Sequence, residues 1–268
     1  MLKLKNTMKK ITACIITFNE EKNIEKCLKS LSFCDEIIVV DSHSTDETRV
    51  IAKNMGAKVI ERDWPGYKTQ RKFAIETSKN NWIIMLDADE WLSLGIAEEI
   101  QLMLKDSKNE KYSAYYSRRT SYYLNRKIRF GDWGRDRVIR LFDRTFCDVI
   151  GMEVHEKIQS RGRIGHLRNP IFHNPYHSLE NQLFKLNNYA EIWANESHYM
   201  GRKGNLIQLL LNPLWRFFRS YIFRLGFLDG ERGLLICLME ANYTLTKYLK
   251  LLAKKPRYRQ DNELRGHN

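Results

Sequence analysis

The N-terminal part of the chain alternates between two hydrophobic periods. Residues 10–18 (KITACIITF) form a continuous β-branched apolar run that stops at Asn19-Glu20-Glu21. Ile24, Leu28 and Leu31 then recur at helical spacing, with Asn19 as the expected N-cap. A second apolar run, residues 36–40, ends at Asp41. Residues 42–47 (SHSTDE) lead into another helix, where Ser44 and Glu47 have the spacing of a capping box. Gly56 ends that helix and residues 57–60 read as a short third strand. After the turn Trp64-Pro65-Gly66-Tyr67, residues 68–78 read as a helix carrying Gln70, Arg71, Phe73 and Ala74. A fourth apolar run, residues 82–86, then breaks off in Asp87-Ala88-Asp89-Glu90. Short apolar runs bounded by polar residues are strands buried on both faces, and their alternation with helices predicts an α/β fold with a mainly parallel, doubly wound sheet.

Beyond about residue 110 the pattern changes. Residues 112–130 are crowded with Tyr, Arg and Lys and alternate like strands of a mixed sheet; residues 137–142 and 153–158 read as further strands. From Ser178 to about Ala253 the spacing is helical, with breaks expected at residues 201–204, Pro213 and residues 226–233. The expected organisation is an α/β half over residues 8–110, a mixed sheet over 111–177 in the same domain, and an amphipathic helical region over 178–268 that lies on a surface or caps that domain.

Composition places the chain among ordinary globular proteins: 268 residues, 43% hydrophobic and 29% charged. Cys14, Cys27, Cys34, Cys147 and Cys237 include no C-x-x-C pair, which predicts reduced thiols rather than a zinc site or a disulfide framework. The first ten residues are basic without an apolar core, so no secretory signal is expected there, and no run reaches the ~18 apolar residues of a membrane span. The net charge of +13 points to an anionic partner, whether nucleic acid, anionic lipid or a phosphorylated substrate.

The polar residues at the strand ends give that charge a chemistry. Ligands of open α/β sheets collect beyond the carboxyl ends of the strands. Thr17, Asn19 and Glu20 offer polar contacts there, Asp41 suits a base or ribose hydroxyl, and Ser44 opens a helix where anions bind. Asp87, Asp89 and Glu90 repel one another unless a cation neutralises them, and hard oxygen ligands suit Mg²⁺ or Mn²⁺ gripping a diphosphate.

Taken in order, I-I-T-F-N-E, V-V-D-S-H-S-T-D-E-T, Q-R-K-F-A and L-D-A-D-E resemble the family 2 glycosyltransferases of the GT-A fold. W-P-G-Y-K-T-Q-R-K-F-A and V-H-E-K narrow the resemblance to the bacterial lipopolysaccharide inner-core glucosyltransferases, which add a sugar to a lipid-linked heptose. The resemblance implies an inverting, metal-dependent enzyme. It would move a hexose, glucose by first choice, from a UDP-sugar to a lipopolysaccharide core or another lipid-linked acceptor, at the cytoplasmic face of the inner membrane. It implies nucleotide contacts from Thr17, Asn19, Asp41 and Arg71, the cation on Asp89, and Asp87 at the ribose or the metal. His43 departs from the small or acidic residue common there.

Inverting transfer needs a carboxylate to deprotonate the acceptor hydroxyl. Glu156 in V-H-E-K is the first candidate and Glu153 the second. As strand residues an odd number apart they would face opposite ways. His155 or His173 is a candidate to complete a metal shell. Arg118, Arg119, Arg126 and Arg129 are candidate phosphate contacts for an acidic glycolipid. In the tail, Leu214, Trp215, Phe217, Phe218, Tyr221, Ile222 and Leu225 are punctuated by Arg216, Arg219 and Arg224. This predicts helices lying on an anionic membrane surface, apolar face down and arginines on lipid phosphates. No nucleic-acid module is present, and no nucleic-acid partner is expected. The rival from another class is a non-catalytic basic protein binding nucleic acid or anionic membrane.

Overall fold

The computed structural model describes residues 9–105, 111–153 and 156–255. The chain divides into two compact units. One runs to Arg129 and takes in Trp133–Pro175; the other takes in Phe130–Asp132 and the chain from Tyr176 onward.

The first unit opens with β1 (Ile11–Thr17), α1 (Ile24–Ser30), β2 (Glu36–Asp41), α2 (Thr48–Asn54), β3 (Lys58–Glu61), α3 (Tyr67–Thr77) and β4 (Trp82–Asp87). The strands lie parallel in the order β3-β2-β1-β4. Every position of β1 is buried because both faces of the sheet are covered, which is why its sequence is continuously apolar. One core packs Ile15, Val39, Ile84 and Leu86 against Ile24 and Leu28 of α1; the other packs Cys14, Ile38, Ile83 and Met85 against Ala74 of α3. The register pairs Thr17 with Asp41 and Ile16 with Asp87, so three candidate residues share one edge.

The unit continues with β5 (Glu90–Leu92), α4 (Ile96–Lys105), β6 (Tyr112–Tyr123), β7 (Arg126–Lys127), β8 (Arg137–Asp143), β9 (Cys147–Ile150), β10 (Lys157–Ser160), β11 (Arg163–His166) and β12 (Ile171–His173). β8 lies antiparallel to β4, and β6, β12 and β5 extend the same sheet; β9 and β10 pair separately. A register shift at Tyr115/Tyr116 sets one residue of β6 against two of β8 and leaves Arg140 outside the pairing. Such bulges re-aim side chains.

Several local expectations are corrected. Asn19 is not a helix cap: it takes φ 53° in the turn, and α1 starts at Ile24. Ser44 and Glu47 form no capping box, because the Ser44 hydroxyl is held by Asp41 and α2 begins at Thr48. Residues 153–158 are not one strand, since β10 begins at Lys157, so the alternation argument separating Glu153 from Glu156 does not apply. His155 lies outside the described residues.

The second unit contains α5 (Leu179–Tyr199), α6 (Leu206–Phe218) and α7 (Gly230–Ala253), with α7 packed against both of the others. Ser178 and Asn205 cap the first two, accepting from the backbone N–H groups of Asn181 and Gln208. Pro213 does not end its helix. It is buried beside Leu209, one turn earlier, and the helix gives way instead to a π-turn at Arg219–Phe223. Arg216, Arg219 and Arg224, expected on lipid phosphates, converge on Asp132, with Arg219 Nη2 at 2.7 Å and Arg216 Nη1 at 3.3 Å. Arg216 also pairs with Glu240. These contacts explain why the three-residue segment Phe130–Asp132 belongs to the helical unit. Outside, the face stays apolar: Leu206, Ile207, Leu210, Leu211, Leu214, Trp215 and Phe218 are all exposed. Among the described residues no helix is long and apolar enough to cross a membrane.

Candidate active site

Two interlocked turns are built at the carboxyl ends of β1 and β2. The Asp41 carboxylate is fully buried and accepts from Ser44 N at 2.7 Å and from the Ser44 hydroxyl. The same hydroxyl accepts from Asn19 N at 2.8 Å, while Asn19 Oδ1 accepts from Thr45 N at 2.8 Å. Glu20 N donates to Thr48 Oγ1. Of the residues expected to meet the nucleotide, Asp41 and Ser44 therefore build the turn. Asn19 stays exposed, and Thr17 keeps a buried hydroxyl with no hydrogen-bond partner among the described residues.

The W-P-G-Y-K-T-Q-R segment sets α3 against this edge. Gly66 takes φ +118°, and a Cβ there would collide with the Glu153 carboxylate. That carboxylate accepts from Lys68 N at 2.8 Å, at the start of α3, where the exposed N–H groups and the helix dipole favour an anion. Glu153 is thus a helix cap. Gln70 ties α3 to β2 through Ser42 Oγ and receives Arg62.

Arg71, buried one turn into α3, donates from Nε to Glu156 Oε1 at 2.8 Å and from Nη2 to Asp87 Oδ1. Its Nη1 is buried and has no hydrogen-bond partner among the described residues. Arg140 reaches from the β8 bulge to the other Asp87 oxygen at 2.8 Å and to Glu90 Oε1 at 2.7 Å. Glu90 is fully buried and also receives Arg119, which in turn holds Asp136. Asp87, expected at the metal or ribose, has both oxygens on guanidinium groups, and Arg119 is committed inward rather than to a lipid phosphate. Burial acts to raise the Asp87 pKa, but Arg71 and Arg140 outweigh it and hold the group well below the usual carboxylate range. Glu156 goes the other way. Burial raises its pKa, and Arg71 offsets only part of that rise.

Asp89 lies on the turn between β4 and β5. Pairing of β12 with β5 brings His173 beside it, with His173 Nε2 3.6 Å from Asp89 Oδ1 and Nδ1 3.3 Å from Ser121 Oγ. Atoms sharing one octahedral Mg²⁺ or Mn²⁺ sit about 3 Å apart, so a carboxylate and an imidazole at this separation fit a shared cation with little movement. Asp87 does not fit that role while both oxygens are held. Among the described residues no group of three or more His, Cys, Asp or Glu side chains is placed to hold a metal.

Arg140 and Ser121 were not anticipated. The signal for Arg140 was an arginine inside the apolar run Ile139-Arg140-Leu141-Phe142, since arginine is rarely buried unless paired. Nothing in the sequence marks Ser121.

Residues 12–146 match the family model described as "Glycosyl transferase family 2". An uncharacterized glycosyltransferase of Rickettsia bellii is 31% identical over 91% of this chain and 85% of its own length. The lipopolysaccharide core biosynthesis glycosyltransferase LpsC of Rhizobium meliloti is 27% identical over 86% of this chain and 90% of its own. A crystal structure of glucosyl-3-phosphoglycerate synthase from Mycobacterium tuberculosis, with Mn²⁺, UDP and glucosyl-3-phosphoglycerate, overlaps 43% of this chain and 44% of that one, at 24% identity and a TM-score of 0.34.

Proposed function

The chain belongs to glycosyl transferase family 2 and has its GT-A fold, and we propose that it transfers a hexose, glucose by first choice, from a UDP-sugar to a lipid-linked acceptor of the lipopolysaccharide-core kind. The acceptor class is taken from the similarity to LpsC over most of both chains. The observation that carries the mechanism is the convergence of Glu156, Arg71 and Asp87 at the edge where Thr17 and Asp41 end their strands.

In this reading Glu156 accepts the proton of the acceptor hydroxyl as that oxygen attacks the anomeric carbon, and the bond to the UDP oxygen breaks with inversion. Its burial-raised pKa makes it a stronger base than an ordinary glutamate. Arg71 fixes the Glu156 carboxyl through Nε and leaves Nη1 to meet the anionic leaving group. Asp87, kept ionised by two arginines, orients Arg71. Asp89 and His173 would hold the divalent cation, and the imidazole favours Mn²⁺ over Mg²⁺, which prefers oxygen and water. When bound, that cation neutralises charge on the departing diphosphate.

A UDP-sugar donor would place the reaction on the cytoplasmic side of the inner membrane. The exposed apolar face of α6 would meet the bilayer surface there, and the organisation into a donor half, an acceptor sheet and a membrane-facing helical region follows from this assignment. The test is calorimetric titration with UDP, UDP-glucose and UDP-N-acetylglucosamine, in Mn²⁺ and then in EDTA. Metal-dependent UDP binding, tighter with one sugar, is the expected result; no binding in either condition would sink the proposal.

A further inference from the structure

Arg118 on β6 and Arg137 on β8 are direct cross-strand partners. Both are exposed, and among the described residues neither has an ion-pair partner. Like charges facing each other across an antiparallel pair destabilise it. The carboxylate next to Arg137 in sequence, Asp136, is occupied by Arg119, so the protein leaves this pair uncompensated.

The position is specific. Alternation puts Arg118 on the side of β6 that carries Ala114 and Tyr116, in the core with Ile83 and Met85 of β4; Asp87 continues that same side of β4. Because β8 runs antiparallel to β4, its first residue, Arg137, lies toward the edge where β4 ends in Asp87. Arg140, three positions on, reaches Asp87 with its side chain, and continuing the register of Ile84 with Leu141 sets Arg137 level with the residue after Asp87, roughly 10 Å along β8 from Arg140. Two guanidinium groups on partners about 5 Å apart can close on one tetrahedral anion.

We propose that Arg118 and Arg137 form a subsite for a phosphoryl group carried by the acceptor, outside the donor site; this rests on the glycosyltransferase reading above. Of the four arginines expected from the sequence, the pair keeps Arg118, and Arg119 is taken by Glu90 and Asp136. It requires an acceptor that carries a phosphate monoester.

The test titrates the full chain with inorganic phosphate, glycerol 3-phosphate and, separately, UDP. It compares wild type with Arg118→Gln, Arg137→Gln and the exposed control Arg126→Gln. Each of the first two should weaken both phosphates about tenfold, the loss of one charge-assisted contact, while the control and all UDP affinities stay within about twofold. Without phosphate the two variants should melt no lower than wild type, since a repulsion has been removed. Unchanged phosphate affinity in both variants overturns the subsite. Phosphatidylcholine vesicles with and without phosphatidylglycerol separate the sources: a variant effect confined to the anionic vesicles would reassign the pair to headgroups and overturn the acceptor claim. Absence of UDP binding would refute the donor reading, while the phosphate comparison still decides the arginine pair.

Discussion

The two units handle arginine in opposite ways. In the sheet unit Arg71, Arg119 and Arg140 are threaded among Asp87, Glu90, Asp136 and Glu156, every one tied to two or more carboxylates. In the helical unit Arg216, Arg219 and Arg224 crowd onto the single Asp132, with Glu240 adding a partner for one of them. The first arrangement fixes the charge state and direction of groups at a strand edge. The second turns charge inward from a face that stays apolar outside. A chain with net charge +13 therefore does not present all of that charge to its partners, and the proposed membrane contact keeps the apolar face expected from the sequence without the arginine–phosphate contacts expected beside it.

The largest effect should follow from removing the base. Glu156→Gln keeps a hydrogen bond to Arg71 but cannot take a proton, and turnover should fall ~10²–10⁴-fold with UDP affinity unchanged. Glu153→Gln should lower thermal stability and leave the chemical step near wild type, because Glu153 caps α3. Equal losses of kcat from the two variants would refute the distinction. In wild type, kcat/KM should rise with pH through an ionisation above the ordinary glutamate value, since burial raises the Glu156 pKa; an acid limb at the ordinary value would contradict that origin.

Next in size is the arginine network. Arg140→Leu strands Asp87 and the fully buried Glu90 with fewer partners, and breaking a buried pair from one side costs ~3–5 kcal/mol. Urea unfolding would measure it. The sign of the acid response is also set. The folded Asp87 pKa is depressed, so its stabilisation is present above the unfolded value near ~3.9 and is lost as pH falls through the folded value. Asp87→Asn should flatten that acid loss; an unchanged acid slope would show that other carboxylates carry it.

On the helical side the expected changes are smaller. Leu210→Gln with Leu214→Gln removes two apolar side chains that are more than half exposed, 63% and 57%, and so available to lipid. The pair should weaken binding to vesicles by about 2 kcal/mol, roughly thirtyfold. Because Arg216 on α6 and Arg219 and Arg224 beyond it are paired with Asp132, the salt dependence of binding should be shallow. A steep one would restore the electrostatic reading.

The same contrast explains what could be read beforehand. The parallel strands were legible because burial on both faces leaves unbroken apolar runs ending in polar residues, and β1, β2 and β4 fall where those runs lie. The motifs single out Arg71, Asp89 and Glu156, and the structure sets Arg71 between Glu156 and Asp87 and Asp89 beside His173. Arg140 was not legible, because its direction comes from a bulge, and a one-residue shift in register leaves no mark in a hydrophobic pattern. The pairing of His173 with Asp89 depends on β12 meeting β5, a contact between segments far apart in sequence. Pro213 misled because a proline usually ends a helix, whereas here the i, i+4 burial with Leu209 carries the helix through it.

The smallest effect sharpens the comparison most, because it separates building a site from touching a ligand. Ser44 Oγ donates to Asp41 and accepts from Asn19 N, and the residue is almost fully buried. Ser44→Ala leaves one buried acceptor and one backbone donor unsatisfied, which costs ~1–3 kcal/mol of stability. If Ser44 only builds the turn, UDP affinity should change little at temperatures where the variant is folded, and the van't Hoff plot of binding should parallel wild type. If its hydroxyl meets the nucleotide, as the strand-end pattern alone suggested, affinity should drop about tenfold with a smaller change in melting. Ser44→Thr keeps the hydroxyl and adds a methyl at a site with no exposed surface to spare. It should restore the hydrogen bonds while straining the packing, so melting should fall between wild type and alanine. A threonine variant that melts below alanine would mean packing, not hydrogen bonding, sets the stability of this turn.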